Sequence, residues 1–252
     1  MTLRQLLPVA PDSPGLTAAG LAALYAYPDG RWLRANMVAS ADGAASLAGA
    51  SAGLSSDTDR RLFALLRTLS DVILVGAATV RTERYKPARA PQDAWRDLRE
   101  GRALTPPIAV VTRRLDLDPD SPLITAAPAD ARTIVITTAQ APPDIRDALE
   151  PHADVIVAGE EGVDFQAAVA ALAERGHRRL LAEGGPHLLA ELLAAGLLDE
   201  LCLTTGPLLA GPGPGRIVTG PQPGGALPLD LAHVLEEDGF LFCRYTRRTQ
   251  DH

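Results

Sequence analysis

The residues best suited to chemistry stand in a short run near the C-terminus, Glu183-Gly184-Gly185-Pro186. An apolar run, Arg179 to Ala182, precedes it and an amphipathic run, His187–Ala195, follows. A strand entering a double glycine and then a helix is how backbone N–H groups are brought up to a phosphate. The glycines allow close approach, and the helix N-terminus carries partial positive charge. A carboxylate beside such a cradle points to a nucleotide-using enzyme; a Gly-Gly-Pro turn opening an ordinary helix is the plain alternative. Further candidates follow other apolar runs. Ser40-Ala41-Asp42-Gly43 is a polar turn with a carboxylate, and Gly76-Ala77-Ala78-Thr79-Val80-Arg81 offers amides and a hydroxyl. Arg67 lies near the end of a helical run, where a solvated arginine complementing the helix dipole is the competing reading.

Other chemistries find little support. His177 and His187 have no Ser or Cys partner at a recognisable spacing. Gly49-Ala50-Ser51-Ala52-Gly53 spells GxSxG, but neither a strong strand before it nor a helix directly after it is present, and a nucleophile elbow needs both. No CxxC, HExxH or P-loop occurs, so no metal is expected. A cofactor cradle with few ionisable groups fits hydride transfer, in which the cofactor carries the chemistry and the protein supplies geometry.

The elements that would position these residues alternate. Strands are predicted at Trp32–Ser40, Asp71–Val75, Ile108–Thr112, Arg132–Thr137, Asp154–Ala158, Arg179–Ala182 and Leu198–Thr205. Helices are predicted at residues 16–25, Asp57–Leu69, Asp144–Leu149, Phe165–Glu174 and His187–Ala195, with Thr17 and either Ser56 or Asp57 as caps. Gly76–Arg81 reads as a turn, and Asp93–Glu100 as an exposed helix in a long loop. His233–Glu237 and Phe240–Arg247 read as a hairpin about Asp238-Gly239. The class is α/β with a mostly parallel, mixed sheet, in which ligands bind at strand carboxyl ends. The 252 residues read as one domain, with residues 1–29 an N-terminal extension carrying a helix. Net charge is −7, and no basic stripe marks a nucleic-acid partner. Cys202 and Cys243 read as buried small hydrophobes. No run of 18 apolar residues and no leader is visible, so the cytoplasm is the default.

Taken together, Asn36–Gly43, Leu66-Arg67, Asp71–Val80, Glu183–Pro186, Gly196–Leu201 and Gly206–Gly211 resemble, in that order, the reductase domain of the bacterial riboflavin-biosynthesis deaminase–reductase. The deaminase signature is absent, so the resemblance is to a stand-alone reductase. It implies a three-layer α/β/α fold like dihydrofolate reductase, NADPH as cofactor, and a homodimer. The implied reaction reduces the ribosylamino sugar of a phosphorylated pyrimidine to a ribityl chain. It implies cofactor contacts at Val38, Gly53, Gly76, Thr79, Val80 and Glu83, and along the turn and helix start of Gly184, Gly185, Pro186, His187 and Leu188. It implies substrate contacts at Ser51, Arg67 and Glu183, with Arg67 on the substrate phosphate. Asp42 and Glu183 are the candidate catalytic carboxylates. Arg113, with Arg114, is the expected partner of the cofactor 2′-phosphate.

Two departures fall on the substrate side. The family's Asp-Asp-Pro-x-Leu-Thr-x-Arg is here Thr82-Glu83-Arg84-Tyr85-Lys86-Pro87-Ala88-Arg89, leaving Arg84, Lys86 or Arg89 as substitutes for a second phosphate-binding arginine. The family's Trp-Ile-Thr is Gly53-Leu54-Ser55. A pterin such as dihydrofolate is therefore an alternative substrate. A non-catalytic nucleotide-binding protein is an alternative of another class.

Overall fold

Val72-Ile73-Leu74-Val75 is apolar at every position, and such a strand must be covered on both faces. In the computed structural model, which describes residues 3–8, 16–220 and 225–248, all four side chains are buried. Ile73 and Val75 face one apolar cluster and Val72 and Leu74 the other. In chain order the elements are β1 (Arg4–Leu7), α1 (Ala18–Leu24), β2 (Trp32–Ser40), α2 (Asp57–Leu69), β3 (Val72–Gly76), α3 (Ala77–Thr82), β4 (Ile108–Val111), α4 (Pro122–Thr125), β5 (Ile134–Thr137), α5 (Pro143–Leu149), β6 (Asp154–Val157), α6 (Phe165–Glu174), β7 (Arg179–Ala182), α7 (Pro186–Ala194), β8 (Glu200–Gly206), β9 (Leu229–Glu237) and β10 (Phe240–Arg247).

The strands form one sheet in the order β1-β9-β10-β8-β2-β7-β3-β4-β5-β6. From β8 to β6 every pairing is parallel; β10, β9 and β1 extend the other edge antiparallel. Leu21 of α1, Leu62, Leu65 and Leu66 of α2, and Trp95 cover one face. Val169 and Leu172 of α6 and Leu188, Leu189 and Leu192 of α7 cover the other. The three-layer α/β/α expectation matches this arrangement.

Local chemistry explains the element ends. Thr17 and Ser56 accept hydrogen bonds from Gly20 N and Asp59 N, so Ser56 rather than Asp57 caps α2. Asp238 and Gly239 take φ of 53° and 79°, the left-handed pair that a two-residue hairpin requires.

Several expectations are corrected. Residues Gly76–Arg81 are not a plain turn, because α3 starts directly after its cap, Gly76. Asp93–Arg99 is a 3₁₀ helix and is not fully exposed. Trp95 and Arg99 are buried, and Arg99 donates to the carbonyls of Thr68 and Ser70 at the end of α2. Within the N-terminal extension, Arg4–Leu7 adds a strand beside β9, which the sequence did not suggest, and Leu3 lies in the core. Cys202 is buried, but Cys243 is half-buried.

Candidate active site

Three parallel strands, β2, β7 and β3, bring their carboxyl ends together, and the loops leaving them surround a cleft of about 470 Å³. Asn36, Met37 and Val38 of β2 form its floor. Ser55, Asp59, Arg60 and Phe63 make one wall; Ala78, Thr79, Thr82, Glu83 and Tyr85 make another. Glu183–Pro186 edges the cleft between them, and Ala45, Ser46, Gly49, Ser51, Ala52, Gly215 and Arg216 complete the lining.

The double glycine has a specific steric cause. Gly184 adopts φ 108°, a conformation few L residues tolerate. A Cβ on Gly185 would lie 2.6 Å from Thr79 Oγ1. The loops after β3 and β7 are thus pressed together, and Gly76 N donates to the Gly184 carbonyl at 3.0 Å. Gly185 caps α7 with no side-chain acceptor, leaving first-turn amides for a ligand.

Glu183 is held from two sides. Arg67 Nε and Nη2 donate to its two oxygens at 2.7 and 2.6 Å, and the Tyr85 hydroxyl donates at 2.9 Å. The Glu183 side chain is 0% exposed. Burial acts to lower the Arg67 pKa and is the largest single cause, but the Glu183 charge, its hydrogen bonds and Tyr85 together outweigh it, and the net direction is upward. Burial, followed by the Glu183 charge, raises Tyr85 well above the usual phenol range, so it stays a donor. The Arg67 guanidinium also lies 4.4 Å from the Phe63 ring centroid. The arginine fork expected on a substrate phosphate is therefore closed on a carboxylate, and Arg67 is not in the cleft lining.

Asp42 is also not in the lining. Its exposed carboxylate accepts from Ser40 Oγ and from the amides of Ala210 and Gly211 at 3.1 and 2.9 Å. The Ser40 bond, then the two amides, hold its pKa down at about 2. It staples the loop after β8 to the loop after β2, outside the cleft lining.

Of the other expected cofactor and substrate residues, Val38, Ser51, Thr79, Glu83, Gly184, Gly185 and Pro186 line the cleft, and Glu83 accepts from Ser51 N and Oγ. Gly53, Gly76, Val80, His187, Leu188 and Arg113 do not. Val80 and Leu188 are packed in the two cores, and Gly53 faces Leu47. Arg113 and His187 are exposed outside the lining. Arg84, Lys86 and Arg89 are exposed and outside it as well.

The sequence reading missed Asn36, Asp59, Arg60, Tyr85 and Arg216. Asp59 is 9% exposed and accepts from Ser55 Oγ and Thr204 Oγ1, each at 2.6 Å. Its signal was an acidic residue followed at i+1 and i+4 by Arg60 and Phe63 on the first turns of a helix that follows a strand-end loop.

This three-layer α/β fold, with a cleft at parallel strand ends, a glycine turn opening a helix and an arginine-held glutamate, is that of a reductase. The chain belongs to the RibD C-terminal domain family, which matches residues 31–238. It is 30% identical over 159 residues to a protein named 2,5-diamino-6-ribosylamino-4(3H)-pyrimidinone 5′-phosphate reductase from Archaeoglobus fulgidus, covering 63% of this chain and 71% of that one. A protein of the same name from Methanothermobacter thermautotrophicus is 29% identical over 181 residues, 70% and 77% of the two chains. A pyrimidine reductase-like protein of Corynebacterium diphtheriae superposes with a TM-score of 0.81 at 27% identity, covering 93% of this chain and all of that one. RibD of Acinetobacter baumannii shares the fold, with a TM-score of 0.69 at 17% identity over 87% of this chain and 59% of its own.

Proposed function

We propose that the protein is an NADPH-dependent reductase of a phosphorylated ribosylaminopyrimidine, converting the ribosylamino sugar to a ribityl chain. The observation that carries this is the division of one cleft. A cradle on one side, Gly184-Gly185-Pro186 against Thr79, has no room for a Cβ. The opposite side is a polar wall built on α2. The cradle fits a dinucleotide diphosphate, with Thr79, Gly185 and the first amides of α7 holding it. When bound, NADPH would supply the hydride.

The residues of the chain divide the remaining work. The substrate, an open-chain imine, gains hydride at carbon and a proton at nitrogen, becoming a secondary amine. Asp59, with Thr204 and Ser55 bonded to it, presents a carboxylate suited to amino groups on a pyrimidine edge, and Asn36 lies on the floor beside it. Arg67 and Tyr85 lock Glu183 at the cleft edge, so Glu183 acts by positioning Tyr85. Neither Asp42 nor Glu183 offers a free acid, and water reaching the cleft supplies the proton.

One observation favours a pterin as a second reading: Arg67 is occupied, and Glu83 sits on Ser51, where an anion would be repelled. NADPH oxidation with the phosphorylated pyrimidine and with dihydrofolate, side by side, decides between them. Failure of NADPH to raise the melting temperature would sink both readings and leave a nucleotide-independent role.

The same reading takes residues 1–252 as one reductase domain acting as a homodimer in the cytoplasm. The single sheet through the described residues supports the first part. Exposed Leu6, Leu7, Leu231 and Leu241 on β1, β9 and β10 support the second. Sedimentation of the purified protein tests it.

A further inference from the structure

The cleft lining holds two arginines. Arg60 is already paired with Asp57. Arg216 is exposed, and among the described residues its guanidinium has no ion-pair or hydrogen-bond partner. Its backbone, by contrast, is tightly fixed. On one side the Gly215 carbonyl accepts from Ala45 N at 2.8 Å. On the other, Ile217 and Val218 pack against the core that α7 covers, and Thr219 N donates to the Pro186 carbonyl at 3.1 Å. Gly220 then passes so close to α7 that a Cβ there would sit 2.9 Å from Ala190 Cβ. A free cation therefore lines the same cleft as Gly184-Gly185-Pro186, on a segment whose backbone is fixed to the loop after β2 and to α7. The carboxylates that also line the cleft are engaged elsewhere: Asp59 with Ser55 and Thr204, Glu83 with Ser51, and Glu183 with Arg67 and Tyr85.

We infer that Arg216 is a diphosphate clamp for the dinucleotide cofactor, acting in the cleft it shares with the glycine cradle. This rests on the reductase reading above. A diphosphate lying on first-turn amides still carries excess negative charge, and a planar fork held at the rim can meet two of its oxygens at once. The fixed backbone means that little is lost in ordering on binding, because only the side chain must settle.

The test is calorimetric titration of the full chain and of Arg216→Ala and Arg216→Lys with NADPH, NADH and 2′,5′-ADP, alongside thermal melts without ligand. Arg216→Ala is expected to weaken NADPH and NADH alike by about ten- to a hundredfold, the usual scale for a lost charged hydrogen bond. Binding of 2′,5′-ADP, which keeps only one of the two diphosphate phosphates, should weaken less, Arg216→Lys should be intermediate, and the ligand-free melting temperature should be unaltered. Unchanged NADPH affinity in Arg216→Ala would overturn the inference and leave the reductase reading standing. A loss confined to NADPH and 2′,5′-ADP, with NADH unaffected, overturns it in favour of the 2′-phosphate. Wild-type protein that binds none of the three nucleotides overturns the reductase reading and the inference together.

Discussion

Arg67 and Glu183 meet side-on, with two parallel N–H···O bonds of 2.7 and 2.6 Å, although 116 residues separate them in the chain. The pair joins α2 to the end of β7 at the edge of the cleft. Removing one partner of a buried pair typically costs about 3–5 kcal/mol, because the other charge is left without compensation. Arg67→Ala should therefore lose stability on that scale, and it should lose turnover of any substrate, phosphorylated or not. Replacing both residues by methionine should cost less than the sum of the single changes. Urea unfolding of the four proteins checks this; additive losses would show that the pair is not coupled.

Tyr85 adds the third bond to Glu183, at 2.9 Å, and also lines the cleft. Tyr85→Phe keeps the ring and deletes the hydroxyl. A hydrogen bond to a charged group is worth about 1.5–3 kcal/mol, so a stability loss in that range is expected. Turnover should fall while NADPH affinity holds, since Tyr85 is outside the cradle. Steady-state kinetics beside a binding titration separate the two, and a weakened NADPH affinity with unaltered kcat would contradict the assignment.

Gly185→Ala places a Cβ 2.6 Å from Thr79 Oγ1. That distance forces the loops after β3 and β7 apart, and overpacking of this kind costs about 1–3 kcal/mol. The variant should melt lower and lose most of its NADPH-dependent thermal shift. Adding Thr79→Ala removes the clash, so the melting temperature should recover while the cofactor shift, which needs the Thr79 hydroxyl, recovers less.

Local signals made much of this molecule readable before any coordinates. The all-apolar run Val72–Val75, the leucine spacing of α2 behind Ser56, and the Asp238-Gly239 turn each specify their element from a few neighbouring residues. The glycine cradle was readable for the same reason. What the sequence concealed depends on partners far away. Arg67 reads as a solvated helix-end cation until β7 delivers Glu183 beside it. Asp42 reads as a catalytic carboxylate until the loop after β8 brings two amides to it. Asp59 pairs with Thr204 across 145 residues, and Arg216 gains its position from packing of Ile217 and Val218. The strand-end rule located the cleft, and long-range pairing decided which of the nearby charges remain free to use it.

His233, on β9, carries the pH dependence that is easiest to isolate. It is 2% exposed, among the described residues its Nε2 has no partner, and Tyr25 meets its ring edge-on at 4.7 Å. Burial lowers its pKa from 6.5 to about 4; Arg244 and Arg34 act in the same direction and Glu200 opposes them. The folded value lies below the unfolded one, so between these limits the unfolded chain binds the extra proton. The stabilising contribution is thus fully present above pH 6.5 and is lost as pH falls toward 4. The span corresponds to about 3 kcal/mol. Glu200, which Arg34 and Arg244 hold at about 2 despite its burial, loses its own contribution only at lower pH, as it falls from its unfolded value of 4.5 through the folded one. Unfolding free energy measured in urea at about pH 7 and about pH 4.5 should therefore drop in the wild type. His233→Leu should flatten that interval and leave the more acidic transition in place. An equally steep drop in His233→Leu would assign the interval to another group.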